Sequence, residues 1–275
     1  MLSQEEQEVV YQKAYVPEHL VHYVQAISGA EPYLHNGYLC FLKADHLIFV
    51  GYALQDPAVE AEQAYDSACR FLQPATVAII APRRWLPQSA GEELTHDTYY
   101  RLTLPLGEVK PDLAYMIRRA EREIRVGQGT FGPEHVKLTD AFVTERQIVA
   151  SYEEILQRLP EYLDRSPSAR VLEARRGEEL VAFNIIDLGS ASYLFHLFNF
   201  RATETYVPGA SDLLFFEMLK MAEAEGKSAV NLGLGINSGV RRFKEKWGGT
   251  PFLSYTALQI RRKHIGLLSA LRRLF

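Results

Sequence analysis

Residues 231–249 read NLGLGINSGVRRFKEKWGG. They hold the two features of the chain most suggestive of chemistry: glycines spaced after an apolar run, and a dense set of cations. Gly233, Gly235 and Gly239 stand where a strand would hand over to a helix, the setting in which glycines let backbone approach a dinucleotide pyrophosphate. The spacing, however, is GxGxxxG rather than GxGxxG, and the chain ends at Phe275 without a further strand whose acidic end could hold a ribose. Nicotinamide and flavin binding are therefore disfavoured, and the glycines read as a tight turn that brings a ligand near backbone. In VRRFKEKWGG, Val240, Phe243 and Trp247 recur as an apolar face, which leaves Arg241, Arg242, Lys244 and Lys246 on the other faces. Such a face is either solvated or turned toward an anion.

Other candidates are sparser. Arg118, Arg119 and Arg122 could meet a phosphate or carboxylate of a substrate bound between domains, since a guanidinium grips such groups with two parallel bonds. Pairing with Glu121 and Glu123 is the structural alternative. His19 and His22 would share a helix face but lack a third metal ligand. His196 and Asp187 could be offered as a base and its orienter, yet His196 lies in the apolar run YLFHLFNF and reads more naturally as a satisfied core histidine. Neither a Gly-x-Ser-x-Gly elbow nor a zinc pattern occurs, so hydrolase readings find no support, and no metal is expected. Cys40 and Cys69 are too few for a disulfide framework.

The elements that would position these residues follow from hydrophobic patterning. NGYLCFLKADHLIFVGYAL (36–54) reads as a hairpin, AVEAEQAYDSACRFL (58–72) as a helix with Val59, Ala61, Ala64, Ala68, Phe71 and Leu72 on its inner face, and ATVAIIAP (75–82) as a buried strand. The order recurs as the hairpin ARVLEARRGEELVAFNIIDLG (169–189), a third strand SYLFHLFNF (192–200), the helix SDLLFFEMLKMAEAEG (211–226) and the strand SAVNLGLG (228–235). Between the halves, KPDLAYMIRRAEREIRV (110–126) carries a helical apolar stripe, and GQGTFGPEH (127–135) reads as the linker. At 275 residues, two domains are expected, 1–135 and 136–275. With 47% hydrophobic and 23% charged residues the composition is globular, and a net charge of -4 argues against holding nucleic acid by bulk electrostatics. Glu5, Glu6 and Glu8 stand where a secretory leader would be basic, and no apolar run reaches membrane-spanning length, so a cytoplasmic location is expected.

LEARRGEELVAFNIID, YVPGASDLLFFEMLKMAEAEG, VNLGLG and VRRFKEKWGG together resemble the C-terminal domain of tandem GNAT-fold acyltransferases, in particular Fem-like aminoacyl transferases and the catalytic region of phosphatidylglycerol lysyltransferases. IRRAERE (117–123) resembles the basic helix those families place before the crossover. The resemblance implies an α+β fold of two tandem GNAT-like domains, with mixed, mostly antiparallel sheets flanked by helices. It also implies a donor, acyl-CoA or aminoacyl-tRNA. An anion would sit at the N-terminus of the helix after the third strand of the second half, on Gly209, Ala210 and Ser211, where free N–H groups and the helix dipole favour it. The GNAT signature there is broken: the chain reads Thr205-Tyr206-Val207-Pro208-Gly209, with no basic residue and with Pro208 removing a donor. Phe243 falls where many GNAT enzymes carry a tyrosine, and the Phe243-Lys244 pair is similar to that of Fem-like enzymes. Lys244 is thereby implied as the cation that stabilises a developing oxyanion or donor phosphate.

The expectation is an enzyme that transfers an acyl or aminoacyl group to an amine or hydroxyl of a small molecule, lipid or peptide. Lys244 and Phe243 would form the catalytic pair, Gly209, Ala210, Ser211 and Tyr206 would hold the donor, and Asn237, Arg118, Arg119 and Arg242 would contact substrate. The alternative is a degenerate, non-catalytic scaffold that binds a lipid head group, a peptide or a protein. IRRKHIGLLSALRRLF (260–275) reads as a basic amphipathic helix suited either to packing on protein or to transient contact with an anionic membrane. Oligomeric state is left open.

Overall fold

A computed structural model describes residues 2–55, 59–87, 94–146 and 150–261. The first stretch of chain forms α1 (Gln4–Lys13), a 3-10 turn (Pro17–His19), α2 (Val21–Ser28), β1 (Glu31–His35), β2 (Tyr38–Lys43), β3 (His46–Val50), α3 (Ala61–Leu72) and β4 (Thr76–Ala81). Next come β5 (Leu94–Thr103), α4 (Pro111–Ala120), β6 (Arg125–Gly129), α5 (Pro133–Arg146), α6 (Ala150–Gln157) and α7 (Leu159–Arg165). The last are β7 (Ala169–Arg176), β8 (Glu179–Asp187), β9 (Tyr193–Arg201), α8 (Ala210–Ala224), β10 (Ala229–Leu234), α9 (Ser238–Lys246) and β11 (Thr250–Arg261). The contacts divide the chain into two compact units. One comprises the described residues within Met1–Glu6, Ala30–Asp97 and Ser254–Phe275, the other those within Gln7–Gly29 and Thr98–Leu253. Positions on both sides of residue 135 thus belong to the second unit. GQGTFGPEH is no free linker: its first residues lie in β6, which pairs antiparallel with β7, and Pro133 opens α5.

In the first unit β1, β2, β3, β4 and β11 lie in that order, antiparallel except for β3 and β4. Asn36 and Gly37 turn β1 into β2 with φ of 50° and 81°, the paired left-handed conformation that matches strand twist. The expected hairpin at Lys43–His46 is present as the β2–β3 register pair. Helix α3 buries Ala64, Tyr65, Ala68 and Cys69 over this sheet, while Phe71, expected on the inner face, is 76% exposed. The buried stripe is turned toward Tyr65 and Cys69, each one position after the expected Ala64 and Ala68.

The second unit orders its strands β5, β10, β9, β8, β7, β6, all antiparallel neighbours except β9 and β10. Gly177 at φ 58° closes the β7–β8 hairpin at the expected Arg176-Gly177-Glu178 turn. Every residue of β8 after Glu179 is buried, because both faces of the sheet are covered. On one face α4 and α8 pack Leu113, Ile117, Leu213, Leu214, Phe215 and Met218 against Val230, Leu232 and Trp247. On the other, α5, α6 and α7 bring Leu138, Leu156 and Tyr162 onto Phe183, Ile185 and Phe198. The strands are thus clamped between two apolar layers, which fixes where any break in the sheet can open.

Candidate active site

The break lies between β9 and β10. These strands pair in parallel at three positions, Ala229 with Tyr193, Val230 with Leu194 and Asn231 with Phe195, after which β9 continues to Arg201 and β10 to Leu234 without pairing. Each strand bulges as it leaves the other. The β8–β9 register slips between Ile185 and Ile186, passing from Phe198 to His196, and the β5–β10 register slips between Asn231 and Leu234. An extra residue bends a strand and re-aims its side chains. Gly233 takes the left-handed conformation that the second bulge needs, at φ 72°, and its N–H donates to Asn231 Oδ1 at 2.7 Å. Asn231, wholly buried, also donates from Nδ2 to Tyr15 O at 2.8 Å. Of the three glycines, Gly233 thus serves the bulge at the fork, while Gly235 donates its N–H to Thr98 O at 3.0 Å and Gly239 lies in the first turn of α9.

Helix α9 delivers Lys244 into that fork. Asn237 caps the helix, its Oδ1 accepting from the backbone of Gly239 at 2.9 Å and Val240 at 3.0 Å. At the other end Gly249 N–H donates to Lys244 O at 2.9 Å and Gly248 N–H to Glu245 O at 3.0 Å, with Gly248 at φ 90°, the six-to-one and five-to-two pattern of a glycine stop. A Cβ on Gly249 would stand 2.6 Å from Leu232 Cδ1 and 2.9 Å from Lys244 O, so only glycine lets the turn close. Thus held, Lys244 is buried, and its Nζ donates to Leu234 O at 2.5 Å and lies 5.7 Å from the centroid of the Tyr100 ring.

His196, just past the last β9–β10 pair, leans toward α8 with its ring 5.5 Å from that of Phe215. Its Nε2 is buried without a hydrogen-bond partner, so it is not the satisfied core histidine that the sequence suggested. Burial, and behind it the Lys244 ammonium, pushes the imidazole down to about 3, which keeps it neutral at physiological pH. On the opposite face of the fork, Tyr99 Oη donates to Glu18 Oε2 at 2.6 Å. Desolvation raises the Glu18 carboxyl above its ordinary range, although the Tyr99 bond and a backbone bond pull the other way.

The remaining candidates fall elsewhere. Phe243 is a packing residue, edge-on to Phe215 at 5.3 Å with Lys246 Nζ over its ring at 4.8 Å. Asn237 spends its carbonyl oxygen on the helix cap. Arg242, Arg118 and Arg119 are exposed, the last two on α4. At the start of α8, Gly209 caps the helix at φ 85°, and a Cβ there would stand 2.6 Å from Met116 O. Gly209 and Ala210 are buried, and Ala210 N–H donates to Val207 O at 3.1 Å. The first turn also carries its own carboxylate, Asp212, which accepts from Trp247 Nε1 at 3.0 Å and pairs with Lys246 at 2.5 Å. Ser211 Oγ donates to Asn199 Oδ1 at 3.2 Å, and Tyr206, 52% exposed, stacks beneath Arg201 at 5.1 Å. Sequence reasoning missed Glu18 and Asn199, and no local motif marks either.

Among the described residues no group of three His, Cys, Asp or Glu is placed to hold a metal, and no helix is long and apolar enough to cross a membrane. The basic amphipathic segment expected at 260–275 lies, from residue 262 onward, outside the described residues.

No family model matches the chain, and no curated protein matches it. Its fold is shared with solved structures. The C-terminal domain assigned to a lysylphosphatidylglycerol synthetase from Agrobacterium fabrum matches 92% of this chain and 89% of its own, with a TM-score of 0.61 at 14% identity. L-PGS from Bacillus licheniformis covers 99% and 96%, with a TM-score of 0.58 at 16% identity. FemX covers 100% and 98%, with a TM-score of 0.63 at 10% identity. The α+β fold expected from the sequence, a mostly antiparallel sheet flanked by helices and shared with these proteins, is the fold observed.

Proposed function

We propose that this chain is an acyltransferase that moves an acyl or aminoacyl group from an activated ester or thioester to an amine or hydroxyl. The observation that carries the reading is the Lys244 ammonium, drawn out of water and fixed at the mouth of the β9–β10 fork. An acyl group lying in the fork would place its carbonyl beside a cation already oriented by two helix caps. Such a charge stabilises the oxyanion of a tetrahedral intermediate and costs no reorganisation when the reaction occurs. The fold shared with FemX and L-PGS accords with the same chemistry.

The two donor classes are not equally served. The start of α8, expected to bind a donor anion, is packed under the Met116 carbonyl and carries the Asp212 carboxylate in its first turn, both unfavourable to a pyrophosphate. We therefore favour aminoacyl-tRNA over acyl-CoA, with the exposed Arg241 and Arg242 meeting tRNA phosphates and Tyr206 and Arg201 at the lip of the fork. The same observation favours a second reading, a scaffold that retains the fork but has lost its donor. Thermal shift with acetyl-CoA, a long-chain acyl-CoA and a pool of aminoacylated tRNA separates them, because a donor that prefers the native state raises its melting temperature. A shift with charged but not uncharged tRNA, and transfer that falls by about 10²–10³ in Lys244→Met, is the expected result. No shift with any of the three removes the transferase reading.

A further inference from the structure

We propose that Glu18 is the general base of the transfer, taking the proton of the attacking amine or hydroxyl; this rests on the transferase reading above. The position follows from strand geometry. Adjacent residues of a strand point to opposite faces. Tyr100 belongs with the α4–α8 layer and donates to Glu245 on α9 at 3.3 Å, so Tyr99 points to the other face, where its hydroxyl meets Glu18. Tyr99 is also the register partner of Leu234, whose carbonyl accepts from Lys244. The carboxylate and the ammonium thus lie on the two faces of the sheet at the same end of β10, the end at which β9 and β10 part.

The turn that bears Glu18 is itself tied to the fork. Asn231, the last β10 residue to pair with β9, holds the Tyr15 carbonyl just before the turn, and Pro17 opens the turn with its fixed φ. Glu18 is only partly covered by the fold. An acceptor approaching on this face would have its N–H or O–H beside a carboxylate and its lone pair toward the donor carbonyl. Facing Glu18 are Tyr99 from β5, with Arg101 on the same strand face over the Phe252 ring that packs on Tyr99, and His19 on its own turn beside Tyr15, while the exposed His22 opens α2 next to that turn. Desolvation raises the carboxyl above its ordinary range against the pull of the Tyr99 bond, the direction that strengthens a carboxylate as a base.

The step balances without a further reactant. The acceptor nitrogen or oxygen forms a bond to the acyl carbon as its proton passes to a Glu18 oxygen. The C–O or C–S bond to the donor then breaks, the leaving oxygen or sulfur takes a proton from water, and Glu18 returns its own to solvent.

The test compares wild type, Glu18→Gln and Tyr99→Phe with an active donor and two acceptor probes, ethanolamine, an ordinary amine that is protonated at neutral pH and gains from a base, and hydroxylamine, which is a free base near neutrality and attacks esters without general-base help although it too loses a proton. Glu18→Gln should keep the donor-induced thermal shift, lose about 100-fold or more in transfer to ethanolamine, and lose less than about tenfold to hydroxylamine. In Tyr99→Phe the acid limb of kcat/KM should move to higher pH, because the tyrosine bond favours the charged carboxylate. Equal losses with both acceptors, an unmoved limb, or full activity in Glu18→Gln would each overturn the assignment while leaving the transferase reading intact. Absence of transfer by wild type with every donor overturns both.

Discussion

At the residue scale, the fork is governed by Lys244 and the neutral His196 beside it. Lys244→Met should cost about 10²–10³ in transfer rate, the usual penalty for losing one oxyanion-stabilising group. It should also let His196 titrate at higher pH, since the ammonium helps hold it down to about 3; NMR of the imidazole ring reads this directly. The same histidine makes a stability prediction. Its folded pKa lies below its unfolded one, so its contribution is whole above the ordinary histidine range and is lost as the pH falls toward about 3. Between pH 6 and 4 the denaturation free energy of wild type should therefore fall relative to His196→Gln, by at most about 1.4 kcal/mol per pH unit. His135 is also lowered by burial and acts in the same direction, but it is common to both proteins and cancels in the difference. A flat difference would mean that His196 is hydrated in the native state.

At the scale of elements, the two bulges decide whether a fork exists. Gly233→Ala places a side chain at φ 72°, with its Cβ 3.7 Å from His196 O and 3.9 Å from Lys244 Nζ. Space is available, but the left-handed backbone costs about 1–2 kcal/mol. Asn231→Ala should cost about 1–3 kcal/mol by stranding the Tyr15 carbonyl and the Gly233 N–H. Urea titration gives both values. The capping devices of α9 obey rules that sequence carries, Asn237 before the helix and Gly248-Gly249 after it, yet Asn237 was expected to contact substrate and neither end was expected as a cap. The fork was only half legible. SAVNLGLG read as a strand and its glycines as a turn, yet a bulge is a relation between two strands, and its partner Arg101 lies far away in the chain. Glu18 escaped for the same reason, because Tyr99 is 81 residues distant and VPEHL carries no motif. His196 was found and discounted, since an apolar strand suggests a buried histidine but cannot reveal that its Nε2 lacks a partner. Phe71 shows the opposite error, in which helical spacing accommodated a residue that the sheet does not cover.

At the scale of the whole molecule, a net charge of -4 means that tRNA would have to be held by a local patch. Transfer from aminoacyl-tRNA should then weaken steeply as salt rises, and Arg241→Gln with Arg242→Gln should reduce the slope of log affinity against log salt by up to about 2. A donor indifferent to both would point back to acyl-CoA. The interleaving of the two units has a consequence for biosynthesis. The unit that carries Glu18 and Lys244 draws on Gln7–Gly29 and Thr98–Leu253, whereas the other needs residues from Ser254 on, including the β11 positions that register with β4. As the polypeptide leaves the ribosome, the segment that begins with β1 must wait for the last strand before its sheet can close. The portion that holds Glu18 and Lys244 is fully translated before then, so a nascent chain stalled at residue 253 would lack the β11 positions that register with β4 while holding every residue of the fork.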